Sequence, residues 1–308
     1  MSDKIKAVMI GHAVGDALGV PVEFSSREKV KADPVTDMRG FGIYPYPAGS
    51  WSDDTSMSLA EHDSLAKGSV DFEEIMNNFG DWLKTGKYTP TGEAFDAGRT
   101  CVKAIINYYA FETKATESGC RDEESNGNGS LMRIHPFALY LYAKNSRNQD
   151  VIHTASALTH AHERSRMACG IYSFILWDLL DCPSKDSVVS GIKKAEKFYG
   201  KRCESISYSR LFDVDTLRNL DESEIKSSGY VVDTLEAAVW CLLNTDSYKS
   251  CVLTAVNLGD DTDTVAAVAG GLAGALYGYD AIPEEWRNTL IKREYIESIC
   301  EKANDAWK

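Results

Sequence analysis

"NLGDDTDTVAAVAGGLAGALYG", residues 257–278, sets three carboxylates (Asp260, Asp261, Asp263) and two hydroxyls (Thr262, Thr264) within five positions. An apolar run rich in Ala and Gly follows at once. Acidic and hydroxyl residues cap helix N-termini and offset the positive end of the dipole. One or two such residues suffice for that task, so five point to a second use. A matching cluster lies upstream. "GSWSDDTSMSLA", residues 49–60, again places a hydroxyl, two adjacent carboxylates and a hydroxyl before a helical run.

Hard cations such as Mg²⁺ and Mn²⁺ prefer oxygen ligands, chiefly carboxylates, with hydroxyls and water completing an octahedron. Two adjacent Asp at one helix start do not share a direction, but they can straddle two ions. Two such clusters brought together would make a two-metal site. Simple capping is the competing reading for either cluster taken alone.

Outward from these clusters the apolar period is helical nearly throughout. In "YVVDTLEAAVWCLLN", Val231, Val232, Leu235, Ala238, Val239 and Leu242 recur at three- and four-residue steps. Residues 71–84 open on an acidic turn and carry Phe72, Ile75, Met76, Phe79 and Leu83 along one side. Residues 166–180 read as a mostly buried helix, and 283–306 as one or two amphipathic helices starting at Pro283. Only "SISYS", 205–209, suggests a strand. Residues 34–52 and 200–229 read as extended loops. No repeat and no linker composition interrupts the chain. The expectation is a single all-α domain over 1–308, with functional loops between its helices.

The 308 residues are 44% hydrophobic, enough for a substantial core, and the net charge is −13. No Lys/Arg block stands out, so a basic nucleic-acid-binding surface is not expected. Eight cysteines show no zinc-ligand spacing and read as free buried thiols. Residues 264–279 are too short and too rich in Ala and Gly to span a bilayer. A cytoplasmic location is expected.

Three further stretches carry candidates. "GHAVGDALGVPVEF", 11–24, repeats Gly11, Gly15 and Gly19 at four-residue steps, a spacing that admits a neighbouring backbone, with Glu23 just past the helix end. "NGNGSLMRIHPFAL", 126–139, has two glycines around Asn128 before a helix whose first turn would hold Ser130; its amides suit a phosphate. His160 in "LTHAHERSR" suits ligand contact, against the commoner structural role of a lone His.

In their order and approximate spacing, "GDALGVPVEF", "WSDDTSMSLA", "GNGSLMR", "THAHERSR" and "NLGDDTDTVAAVAGGLAGALYG" resemble the ADP-ribosylglycohydrolase family, from about residue 4 to about residue 290. That resemblance implies an all-α fold, a single multi-helix orthogonal bundle with a central binuclear metal cleft that holds two Mg²⁺ or Mn²⁺ ions. By motif matching, the ligands would be Ser52, Asp53, Asp54, Asp261, Asp263 and Thr264. Glu23 would be the mobile glutamate near the metals, and Asn128, Gly129, Ser130 and His160 would hold ADP-ribose. Ser52 stands where Thr is usual. Asp260 stands where a second Gly is common, so it is expected to cap the helix or to stand behind the ligands.

The implied activity is hydrolysis of the N- or O-glycosidic bond between ADP-ribose and an acceptor, through an oxocarbenium-like transition state. Two cations can hold the ribose hydroxyls and lower the pKa of a water. Glu23, Asp54 and Asp261 are the candidates for proton transfer, with no choice among them. Asp96, read as a mid-helix residue, is a candidate to meet a substrate guanidinium. The partner would be an ADP-ribosylated protein or small conjugate, and nucleic acid only through a modified end. No membrane partner is expected, and a monomer is the default. The alternative is a non-catalytic ADP-ribose-binding or structural member; all six ligand positions carry oxygen side chains, which favours the enzyme. "DTDT" also resembles the nucleophile motif of haloacid dehalogenase-type phosphatases, but that fold alternates strands and helices. "DDTSM" lacks the further acid of terpenoid synthases.

Overall fold

A computed structural model describes residues 1–308. It holds sixteen α-helices and no β-sheet. In chain order these are α1 Ser2–Gly19, α2 Arg27–Ala32, α3 Asp53–Leu65, α4 Phe72–Thr85, α5 Arg99–Ala110 and α6 His135–Ala143. Then come α7 Gln149–Ala157, α8 Glu163–Asp181, α9 Lys185–Tyr199, α10 Ser209–Phe212 and α11 Val214–Arg218. The last five are α12 Val231–Asn244, α13 Tyr248–Asn257, α14 Thr262–Tyr277, α15 Glu284–Thr289 and α16 Arg293–Ala306.

Local chemistry accounts for many boundaries. The Asp71 carboxylate accepts the Glu74 N–H and starts α4, and Gly86 closes it in the left-handed conformation at φ +69°. Between these ends Ile75, Met76, Phe79 and Trp82 are buried at three- and four-residue steps.

The centre of the molecule is the pair α1–α14, the most extensive helix contact. The Gly11, Gly15 and Gly19 stripe lies against it. A methyl group at Gly15 would overlap the Ala266 carbonyl, and one at Gly19 would overlap the Asp263 backbone. The backbones therefore approach too closely for any Cβ at these positions. The Thr262 hydroxyl donates to the Gly19 carbonyl at 2.8 Å, locking the end of α1 to the start of α14. Helix α1 with the turn that follows, Ser2–Val22, is long and apolar enough to cross a membrane, but 83% of its apolar window is buried inside the protein.

Several sequence expectations are corrected. "SISYS" is not a strand: residues 205–208 belong to a 3₁₀ turn over Cys203–Tyr208, with Tyr208 buried, and Ser209 opens α10. Residues 200–229 are not one loop; α10, α11 and short 3₁₀ turns bury Leu211, Val214 and Leu217. Of the cysteines, Cys182 and Cys203 are exposed and the other six are buried. Ser130 does not open a helix. The 126–134 segment stays irregular and α6 starts at His135, with Pro136 in its first turn.

Candidate functional site

The starts of α3 and α14 meet in the interior, beside the end of α1. At α3, Ser52 is the N-cap and its hydroxyl accepts the Asp54 N–H at 3.3 Å. Asp16, from α1, supplies a second cap. Its carboxylate accepts the Ser52 N–H at 2.9 Å, the Thr55 N–H at 3.1 Å and the Thr55 hydroxyl at 2.6 Å. The orphan donors of the α3 N-terminus are thus served without Asp53, and Asp54 contributes no acceptor to them. At α14, Asp261 stands at the N-cap position yet makes no side-chain capping bond. Capping does not explain either acidic cluster.

The buried carboxylates also lack ordinary partners. Both oxygens of Asp263, Oδ1 of Asp54 and Oε2 of Glu23 are buried with no hydrogen bond. An unpaired buried carboxylate is costly, and natural structures retain few of them. One ligand atom each from Glu23, Asp96 and Asp263 lies within 4.8 Å of the other two, a grouping suited to a metal ion. The Thr264 hydroxyl donates to Asp54 Oδ2 at 3.3 Å, which joins the two clusters directly. The donor set is all oxygen, as a hard divalent cation prefers.

Electrostatics agree. Burial, with Asp96 and Asp261 nearby, pushes the Glu23 carboxyl up to about 10. Burial raises Asp16 and Asp96 to about 6. Asp53, Asp54 and Asp263 are raised well above the carboxylate range by burial first and by neighbouring acids second. Such crowding holds negative charge only beside added positive charge.

A cavity of about 270 Å³ opens onto this cluster. Glu23, Asp53, Asp96, Asp261 and Thr264 form one side of it, and Gly127, Asn128, Gly129 and His160 another. The start of α5, Gly98 to Cys101, forms a third. Glycine is required at 129, where a Cβ would sit 2.8 Å from the His160 ring and 2.9 Å from Cys101 Sγ. Asn128 directs its amide to Asp261 Oδ2 and to the Thr234 hydroxyl, both at 2.9 Å, so its side chain orients a carboxylate.

Most sequence-predicted residues converge here, with four differences. Asp96 is not mid-helix but in the loop between α4 and α5, at φ +54°, where the Tyr44 hydroxyl donates to it at 2.9 Å. Glu23 and Asp96 join Asp263 in the tightest acidic group, whereas the Ser52 hydroxyl is occupied by Asp54. Ser130 is off the cavity wall; its hydroxyl is buried and accepts from Ser156 at 2.9 Å. Asp260 does not cap α14. It is exposed at φ +59°, and its backbone pairs with Phe24 and Ser25 at 2.7 and 2.8 Å, anchoring the Glu23 loop. Asp16 and Tyr44 are functional residues that the sequence motifs do not single out. The available signal was an acid next to Gly15 in the uninterrupted buried length of α1, Ala7 to Gly19.

The architecture and this acid-lined cavity lead to known proteins. The family model for ADP-ribosylglycohydrolase matches residues 1–308. The chain belongs to the ADP-ribosylglycohydrolase family. It is 34% identical over 302 residues to the ADP-ribosylarginine hydrolase Tri1 of Serratia proteamaculans, covering 97% of this chain and 78% of that protein. It is 32% identical over 303 residues to the ADP-ribosyl-[dinitrogen reductase] glycohydrolase of Rhodospirillum rubrum, covering 96% and 94%. A solved structure described as an ADP-ribosylglycohydrolase-related protein complex superposes with a TM-score of 0.83 at 29% identity, covering 100% of this chain and 99% of that one. Membership of this family makes the chain an enzyme that hydrolyses ADP-ribose linkages.

Proposed function

We propose that this family member is a divalent-metal-dependent hydrolase that releases ADP-ribose from an ADP-ribosylated acceptor, with an arginine conjugate on a protein as the leading substrate. The observation that carries the metal dependence is the set of buried, unpartnered carboxylate oxygens of Asp54, Asp263 and Glu23, with Glu23 on the cavity wall and the other two directly behind the lining residues Thr264 and Asp96. The arginine preference follows the name of the Serratia relative, an ADP-ribosylarginine hydrolase, and the acidic lining that a guanidinium would meet.

Two Mg²⁺ or Mn²⁺ ions among Asp53, Asp54, Asp261, Asp263, Thr264 and the adjacent Glu23 and Asp96 would polarise ribose hydroxyls and a water. Asp16 holds the first cluster at the start of α3, and Asn128 orients Asp261. The Tyr44 hydroxyl keeps Asp96 directed into the cavity. Glu23 Oε2, buried, unpartnered and beside Asp96 and Asp263, is placed to carry a proton to the departing acceptor nitrogen or oxygen. The 127–129 loop and His160 form the wall that would receive ADP-ribose.

The test is release of ADP-ribose from ADP-ribosyl-arginine and ADP-ribosyl-serine peptides assayed side by side in Mg²⁺ or Mn²⁺. Turnover that EDTA abolishes supports the proposal, and turnover that survives EDTA sinks the metal-dependent mechanism. Tight ADP-ribose binding with no turnover on any conjugate would favour the non-catalytic binding alternative.

A further inference from the structure

A buried polar chain reaches the cavity at a single ring. It begins at Glu61 on α3, about two turns beyond Asp53. Glu61 pairs with Arg133, and both side chains are 0% exposed. Arg133 Nη2 donates to the Thr159 hydroxyl at 2.7 Å and to the Ala155 carbonyl at 3.1 Å. The Arg133 guanidinium also lies 4.9 Å over the Phe79 ring. The Thr159 oxygen lies 2.9 Å from His160 Nδ1. Nε2, across the ring, faces Gly127 and Gly129 on the cavity wall.

The donor directions follow from chemistry. A guanidinium only donates. Thr159 Oγ1 therefore accepts from Arg133 and keeps one hydrogen to give. The Thr159 hydroxyl makes no bond to the Ala155 carbonyl one turn back; its partners are Arg133 and His160 Nδ1. Nδ1 is the remaining acceptor. A neutral imidazole that accepts at Nδ1 carries its hydrogen on Nε2. Burial, helped by Arg133, holds the ring neutral by lowering its pKa to about 3. The nearby guanidinium favours the same tautomer, because it repels an N–H dipole aimed toward it.

We propose that Arg133 and Thr159 are positioning residues that fix His160 as an Nε2–H donor facing the cavity. Through Glu61, this donor is tied to the helix that bears Asp53 and Asp54. One buried ion pair thereby holds the acidic half of the cavity in register with the half that would receive an anionic phosphoryl oxygen. The inference rests on the ADP-ribose reading of the cavity.

The tautomer is read directly by long-range ¹H–¹⁵N NMR of the full-length protein labelled at histidine, with His160→Gln assigning the resonance. ADP-ribose affinity by calorimetry, Mn²⁺ affinity and the KM-against-kcat split are then compared for wild type, Thr159→Val and Thr159→Ser. The expected result is an Nε2–H tautomer in wild type. Thr159→Val should give a tautomer mixture, about tenfold weaker ADP-ribose binding and a raised KM with unchanged Mn²⁺ affinity. Thr159→Ser should restore all three. A wild-type Nδ1–H tautomer overturns the proposal, and so does a Thr159→Val protein that keeps both the tautomer and the affinity. The wild-type spectrum needs no variant, so misfolding of Thr159→Val leaves the proposal refutable. Failure of wild type to bind ADP-ribose would overturn the functional reading instead, whatever the tautomer.

Discussion

The Thr264 hydroxyl donates to Asp54 Oδ2 across 3.3 Å, joining two helix starts that lie 210 residues apart in the chain. That bond brings two acid-rich N-termini to one point. Helix N-termini carry positive partial charge, which eases the crowding of carboxylates without neutralising it.

The residual crowding has a measurable sign. Asp263 has no hydrogen-bond partner on either oxygen and faces Glu23, Asp96, Asp54 and Asp261. Asp263→Asn should therefore raise the melting temperature of the EDTA-treated protein by a few degrees, roughly 1 kcal/mol or more of relieved repulsion. The same variant should lose most of the stabilisation that Mn²⁺ confers on wild type. Scanning calorimetry with and without Mn²⁺ checks both halves; a lower metal-free melting temperature would mean that Asp263 has a structural partner after all.

Asp16 should behave in the opposite way. It serves the backbone of Ser52 and Thr55 as a cap and is buried. Asp16→Ala should lower metal-free stability by about 1–2 kcal/mol or more and weaken Mn²⁺ binding by disordering the start of α3. Thermal unfolding and a metal titration on the same preparation test this. Unchanged metal affinity would show that α3 starts correctly without Asp16.

Two neighbouring acids separate the roles within the opening motif. Asp261 lines the cavity and is held by Asn128, whereas Asp260 is exposed and acts through its backbone. Asp261→Asn should reduce kcat at least about a hundredfold, on the scale of removing a group that stabilises the transition state. Asp260→Asn should stay within about twofold, since Asn also tolerates positive φ. Equal losses would refute this division.

The pH dependence of metal-free stability has two limbs. Below the ordinary value of 6.5, His12, His62 and His160, pushed down to about 3 by burial, leave the unfolded chain with more protons, while the raised carboxyls leave the folded chain with more, so the two effects oppose and the dependence there is shallow. Above 6.5 the histidines no longer contribute. Glu23, raised to about 10, then keeps a proton that the unfolded chain has lost, and the upward shifts of Asp53, Asp54 and Asp263 act in the same direction. Stability should consequently fall as pH rises from about 7 to 9. Mn²⁺ should reverse that second limb, because it binds the ionised carboxylates. Melting curves from pH 4 to 9 in EDTA and in Mn²⁺ decide the matter; a metal-free curve still rising above pH 7 would contradict the raised carboxylate values.

Gly15→Ala probes the scaffold. The added methyl would overlap the Ala266 carbonyl and push α1 from α14. A cost of about 1–3 kcal/mol or more is expected, together with weakened Mn²⁺ binding, because the start of α14 shifts with it. Calorimetry and metal titration again report the two effects.

The sequence alone determined what is local. Apolar spacing marked α4, α8 and α12, and the Asp-hydroxyl clusters marked the starts of α3 and α14. These features are written in adjacent residues, where helical period and side-chain chemistry act directly. Tertiary structure decided everything that depends on contacts between distant segments. It made Asp16 the cap of α3 and drew Glu23 and Asp96 into the group with Asp263. It also removed Ser130 from the cavity wall and ran the polar chain from Glu61 to His160. A carboxylate in a sequence does not state whether it will meet a backbone amide, a cation or water. That is set by which surfaces pack together, and here the glycine stripe of α1 against α14 brings the acids to a common cavity.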